Sequence, residues 1–178
     1  MDASPFDLHC HPGAPCAVDV SLNVRIVRTG DGLELRYAIE GALERLRLPA
    51  FTGVAPGGRL WEHSCFEAFL RPEGGEAYLE LNVAPGGAWA AYALEGYRRG
   101  LQELPLEAPE LRVRRGAGRL ELTARVVLPP AFRGPCRLGL SAVLEDLAGG
   151  RSYWALHHPP EGDPDFHCDA AFAARLGA

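Results

Sequence analysis

The chain has 178 residues, 47% of them hydrophobic, with 23 acidic and 18 basic side chains and a net charge of −5. That length and composition fit a single globular domain spanning 1–178, and the acidic balance argues against a nucleic-acid surface, where a basic excess is the rule. No apolar run reaches the ~18 residues of a membrane span.

The N-terminal stretch MDASPFDLHCHPG has neither the basic start nor the apolar run of a signal peptide, so a cytoplasmic location is expected. Val18, Val20, Leu22, Val24 and Ile26 then alternate with Asp19, Ser21, Asn23 and Arg25. Leu33, Leu35, Tyr37 and Ile39 repeat the pattern against Glu34, Arg36 and Glu40. Period two marks strands with one buried face, and Gly30-Asp31-Gly32 between them predicts a hairpin. Shorter strands are expected at 65–70, 77–83 and 88–94, the last two joined by a turn at Gly86-Gly87. Residues 94–103 are read as one or two helical turns. Leu111 and Val113 precede a run from Leu120 to Leu128, with Gly116 to Gly118 as the turn, and Arg112 and Arg114 fall on the wet face. Further strands are expected at 136–144 and 152–156, and a closing helix at 170–176 with Asp169 as its N-cap. Eight or nine such strands, punctuated by 21 Gly and 15 Pro, describe an all-β protein, an antiparallel β-sandwich with one or two short helices.

Five cysteines (Cys10, Cys16, Cys65, Cys136, Cys168) are scattered and form no C-x-x-C pair. Cys65 and Cys136 lie in apolar strand patterns and read as small core residues. Cys10 and Cys16 lie close enough in the chain to approach each other, as thiols in a reducing compartment.

The stretch RSYWALHHPPEGDPDFHCD concentrates reactive side chains. His157 and His158 are adjacent and would point to opposite faces of a strand, which disfavours joint metal ligation. Pro159, Pro160 and Pro164 read as stiffeners of a loop whose polar side chains cap it. Within it Phe166 is expected buried, with Asp165 and His167 hydrogen-bonded and near His11 as a secondary polar cluster. No G-x-S-x-G elbow or glycine-rich phosphate loop is present. Glu67 and Glu80 are expected on neighbouring strands, where paired carboxylates would suit glycoside hydrolysis; acids on strand faces are otherwise simply solvated. Trp61 and Trp154 stand near strand ends beside polar residues, a placement that suits a stacking platform for a flat sugar face.

LWEHSCFEAFL, AYLELNVAPGGAWAAY, SYWALHHPP and PDFH resemble the DOMON-like proteins of bacteria, relatives of the family 9 carbohydrate-binding modules. The resemblance runs from His11-Pro12 to Phe172 and implies a β-sandwich of jelly-roll or immunoglobulin-like form. In the family 9 modules two Trp side chains sandwich a terminal sugar, and a Glu on the strand after the first Trp makes hydrogen bonds. The resemblance gives those places to Trp61, Glu67 and Trp154, with His157 and His158 lining the same mouth. It implies a non-catalytic domain whose partner is a small, sugar-like ligand, with neither nucleic acid nor membrane. No cofactor is expected. The acidic pair that tends to follow the first Trp in calcium-carrying modules reads Glu62-His63 here. Other DOMON domains bind haem through Met and His, and the single Met is Met1, which leaves histidine ligation. The alternatives are a haem-binding DOMON domain, or a glycoside-processing enzyme using Glu67 with a second carboxylate.

Overall fold

A computed structural model of the chain describes residues 5–159 and 161–177. In chain order its strands are β1 (Phe6–Cys10), β2 (Val20–Thr29), β3 (Gly32–Gly41), β4 (Ala55–Pro56), β5 (Cys65–Pro72), β6 (Tyr78–Val83) and β7 (Ala88–Leu94). They continue as β8 (Gln102–Glu103), β9 (Glu110–Gly116), β10 (Arg119–Val127), β11 (Cys136–Glu145), β12 (Arg151–Ala155) and β13 (Ala174–Leu176). The neighbour order is β4-β7-β6-β5-β11-β12-β1-β2-β3-β10-β9, with β13 beside β11 and β8 beside β7.

The turn chemistry behaves as read. Thr29 pairs with Gly32 across a two-residue turn in which Gly30 has φ +52°. Gly116 pairs with Arg119 around Gly118 at φ +68°. Gly87 sits at φ +103°, and a Cβ built there would meet the Gly53 carbonyl oxygen at 2.0 Å. Only glycine tolerates both the left-handed backbone and that approach.

Two features depart from a purely antiparallel sandwich. β4 runs parallel to β7, pairing Ala55 with Ala88 and Pro56 with Trp89, so the sheet is mixed. The layers are also continuous. The first part of β1 pairs with β2 and its end with β12, through His9–Ala155 and Cys10–Trp154. One sheet therefore passes through β1 and curls into a half-barrel, as the cumulative right-handed twist of strands favours. The concave face closes on a core that includes Val24, Leu35, Ile39, Phe66, Leu81, Leu122 and Leu140. Tyr37 lies within this core and donates its hydroxyl to the Glu67 backbone carbonyl at 2.6 Å.

The expected helices are replaced by other structure. Residues 94–103 leave β7, close a tight turn through the Gly96–Arg99 bridge and return as β8 against Tyr92 and Ala93. The C-terminal segment pairs as β13 with Cys136–Leu138. Only Asp169–Ala171 forms a single 3-10 turn, and Asp169 is not its N-cap: that position is Cys168. Arg137 grips Asp169 and the Phe172 carbonyl from β11, which holds this segment extended against the sheet. The described helical segments are single 3-10 turns, the others at Leu43–Arg45, Leu60–Glu62 and Pro130–Phe132.

A second apolar layer covers the convex face of β5, β6 and β7. Phe69, Tyr78, Ala90, Tyr92, Leu94 and Phe172 form it, with Leu60, Trp61 and Phe166 packed against its edge. These strands are therefore buried on both faces. Cys65 and Cys136 are fully buried, as read.

Candidate functional site

Register decides which side chains meet on the convex face. Glu67 pairs with Asn82 on β6 and with Ser141 on β11; Phe69 pairs with Glu80; Val143 pairs with Tyr153 on β12. Because strand side chains alternate, Glu67, Phe69, Glu80, Asn82, Ser141, Val143 and Tyr153 all face the same way. The 3-10 turn carrying Trp61 and the loops carrying Arg98 and Phe166 rise around them. They enclose a cleft of ≈300 Å³ with Glu67 and Glu80 among the acids lining it and Trp61, Tyr153 and Phe166 among its walls. Trp61 meets Tyr92 edge-on at 5.8 Å, and Tyr153 lies 6.2 Å from Phe166.

The two acids are buried, at 3% exposure for Glu67 and 4% for Glu80. Burial, and then the neighbouring Glu80, push the Glu67 carboxyl well above the usual carboxylate range. Burial also raises Glu80, but the Asn82 amide donates to its Oε1 at 2.7 Å and Arg98 lies near, and both oppose the rise. Glu67 Oε2 accepts a long 3.5 Å bond from the Ser141 hydroxyl. Its Oε1 is buried and takes no hydrogen bond from any described residue. A buried polar atom left unpaired costs about 1–3 kcal/mol, and Asn82 Oδ1, on the same face, is likewise without a partner among the described residues.

The wall opposite is a pinned loop. Asp165 accepts from the Tyr97 hydroxyl at 2.8 Å, from Arg98 at 2.8 Å and from the His167 backbone N–H at 3.0 Å. Burial works against its ionised form, but the bonds from Tyr97 and Arg98 prevail and hold its carboxyl below the usual range. His167 Nδ1 shares a 2.8 Å hydrogen bond with the Tyr78 hydroxyl. Burial, and then Arg98, lower its pKa to about 4, so the ring is neutral at physiological pH.

The residues singled out in the sequence separate into three places. Trp61 and Glu67 meet in the cleft, and Asp165 and His167 belong to its wall. Trp154 does not join them. It pairs with Ala142, which pairs with Phe66, and all three point into the concave core. Trp154 is 7% exposed and donates its indole N–H to Ser152 Oγ at 3.0 Å. The facing tryptophan pair implied by the resemblance is thus not formed, and Tyr153 occupies the cleft side of β12. His157 is exposed and His158 half-buried. His158 bonds the His9 carbonyl at 2.8 Å, stacks edge-on against His11 at 4.8 Å and lies 6.3 Å behind Phe166. His11 accordingly pairs with His158, while Asp165 and His167 pair with Tyr97, Arg98 and Tyr78, so the expected secondary cluster is divided. Pro160 lies outside the described residues.

Sequence reasoning placed Glu80 as a possible partner of Glu67 but missed the covered convex face, Tyr153 and Arg98. One signal was available. CFEAFL in β5 and AWAAYAL in β7 are nearly continuous apolar runs, which is the pattern of strands buried on both sides. Among the described residues no group of three or more His, Cys, Asp or Glu side chains is arranged to hold a metal ion, and no helix is long and apolar enough to cross a membrane.

No family model matches the chain. The human protein C4orf33, of the group UPF0462, is 31% identical over 121 residues, which cover 64% of this chain and 58% of that protein. The chain thus spans less than two thirds of that relative's length. In structure the chain is similar to a candidate carbohydrate-binding protein from Bacteroides uniformis, with a TM-score of 0.69 and 19% identity over 97% of this chain and 84% of that one. It is also similar to a family 9 carbohydrate-binding module from Caldicellulosiruptor kristjanssonii in complex with cellotriose, with a TM-score of 0.51 and 10% identity over 87% and 73% of the two chains. At these identities the likeness is one of fold: an all-β chain.

Proposed function

We propose that the chain is a single, non-catalytic binding domain that takes a sugar-like small molecule in the cleft between Trp61, Tyr153 and Phe166. The carrying observation is the Glu67 carboxyl, which lines this cleft among aromatic walls and whose buried Oε1 has no partner among the described residues. A sugar hydroxyl is the neutral donor that would satisfy it, while the apolar face of the ring lies on Trp61 or Tyr153. The fold shared with carbohydrate-binding proteins supports the same reading.

The platform in this proposal differs from the one implied by the resemblance. Trp61 and Glu67 remain, Tyr153 and Phe166 replace Trp154, and His158 acts from behind Phe166. Titration of the full chain with glucose and short glucans, read by calorimetry and by Trp fluorescence, tests it. Binding that is lost in Trp61→Ala and Tyr153→Ala is expected. Flat heats and unmoved fluorescence across these sugars would overturn it, and release of new reducing ends from glycosides would overturn its non-catalytic part.

A further inference from the structure

The cleft floor carries more acid than its surroundings neutralise. Glu67 and Glu80 share one face of adjacent strands, in diagonal positions whose side chains lie about 7–8 Å apart at their bases. The cations near them are already engaged. Arg98 is held by Asp165 at 2.8 Å, and Arg151, at the mouth, reaches back to the Glu62 carbonyl at 3.5 Å. His167 is occupied by Tyr78, and Asn82 serves Glu80 alone through its amide N–H. Cys65, Tyr78, Tyr92 and Tyr153 bring no positive charge, and further along the same face His63 and Arg47 are held by Glu145 at 2.8 and 3.2 Å. Glu67 thus lines the cleft with a second acid beside it, and its buried Oε1 has no donor among the described residues.

A hydroxyl group would satisfy that oxygen but leave two acids side by side. A protonated amine would do more. It donates charge-assisted bonds, offsets the repulsion that ionising both acids would bring, and is attracted to the faces of aromatic rings such as those of Trp61, Tyr153 and Phe166. We infer that the cleft selects a sugar bearing a primary amine, its ammonium group seated against Glu67 and its ring against the aromatic walls. This inference rests on the sugar-binding reading above and names the ligand class of the same site. Burial favours the protonated acids in the free protein, and an ammonium favours the ionised form. Amine binding is therefore accompanied by release of a proton, whereas binding of a neutral sugar is not.

The test is calorimetry of the full chain against glucosamine, N-acetylglucosamine and glucose at mildly acidic pH, in two buffers of different ionisation heat. Glucosamine is expected to bind about tenfold more tightly than glucose, the worth of one charge-assisted hydrogen bond. Its heat is expected to depend on the buffer in the sense of proton release, and the heats of the two neutral sugars are not. Glu67→Gln is expected to bring the glucosamine-to-glucose preference to about one. The proton release is read in the unaltered chain, so it stands even where that variant does not fold. Equal affinity for glucosamine and glucose, tighter binding of the acetylated sugar, or heats independent of buffer would overturn the inference and leave the sugar-binding reading in place. Failure of all three sugars to bind would overturn both.

Discussion

Tyr153 and Trp154, neighbours in β12, project to opposite faces of the sheet: Trp154 into the concave core and Tyr153 into the cleft that contains Glu67. Their substitutions should therefore separate folding from binding. Trp154→Ala removes a large side chain that is 7% exposed and should destabilise the protein by about 3–5 kcal/mol. Tyr153→Ala should cost much less stability and weaken sugar binding instead. Denaturant unfolding and calorimetry of the two variants read both effects. A Trp154→Phe variant of unchanged stability that no longer binds sugar would return Trp154 to the ligand site.

Glu67 should make the protein less stable as pH rises. Its carboxyl is raised well above the ordinary value of 4.5, by burial first and by Glu80 second. The folded state therefore holds the proton more tightly than the unfolded state does. That stabilising difference is fully present below about pH 4.5 and is lost as pH climbs through the folded value. Glu67→Gln keeps the shape and removes the titration. Its melting temperature should exceed that of the wild type by a margin that grows from pH 4.5 upward, measured by calorimetric scans across pH. A margin independent of pH would show that the Glu67 carboxyl does not titrate differently in the folded state.

His167 should act in the opposite direction. Its pKa falls from 6.5 to about 4 on burial beside Arg98, so the folded state resists protonation. The stability it contributes is present above pH 6.5 and is lost as pH falls towards about 4. The shift corresponds to up to about 3 kcal/mol. His167→Gln should flatten the acid limb of the stability profile over that window, and proton NMR of the ring should show it neutral at pH 6. A ring that titrates near its ordinary value would contradict the buried placement against Tyr78 and Phe69.

Tyr37 ties the core to the cleft. Its hydroxyl, 2% exposed as part of its residue, donates to the backbone carbonyl of Glu67 at 2.6 Å from the opposite side of β5. Tyr37→Phe removes that bond while keeping the ring, which packs 4.9 Å from Phe66. A loss of about 1 kcal/mol is expected in denaturant unfolding, accompanied by weaker sugar binding as Glu67 loses its support. Unchanged sugar affinity in a destabilised variant would separate the core from the site.

The hairpins were legible because their information is local. Gly30-Asp31 and Ala117-Gly118 carry the backbone freedom that a two-residue turn needs, and the alternation beside them states which face is dry. The two-residue period of any strand puts Glu67, Cys65 and Phe69 on one face of β5, as the register shows. Alternation alone could not state whether that face was wet; the nearly continuous apolar run of CFEAFL was the signal that it is not. Glu67 and Glu80 read as solvated because a period-two pattern records contrast between faces, and the layer over this face comes from Trp61, Phe166 and Phe172, which lie up to about a hundred positions away in the chain. The C-terminal segment shows the same limit: a run of alanines suits a short helix by propensity, and pairing with β11 overrides that preference.

The sequence by itself determined an all-β chain, its principal strands and turns, and the presence of Trp61 and Glu67 near one another around the start of β5. Only the tertiary structure decided which neighbour in β12 faces the cleft, that β1 joins the two halves of the sheet, and that Glu67 and Glu80 lie buried under an aromatic rim. The physical reason is range. Turn geometry and side-chain alternation are set within a few residues, whereas register between strands distant in sequence, and which loops cover a face, depend on contacts made far along the chain.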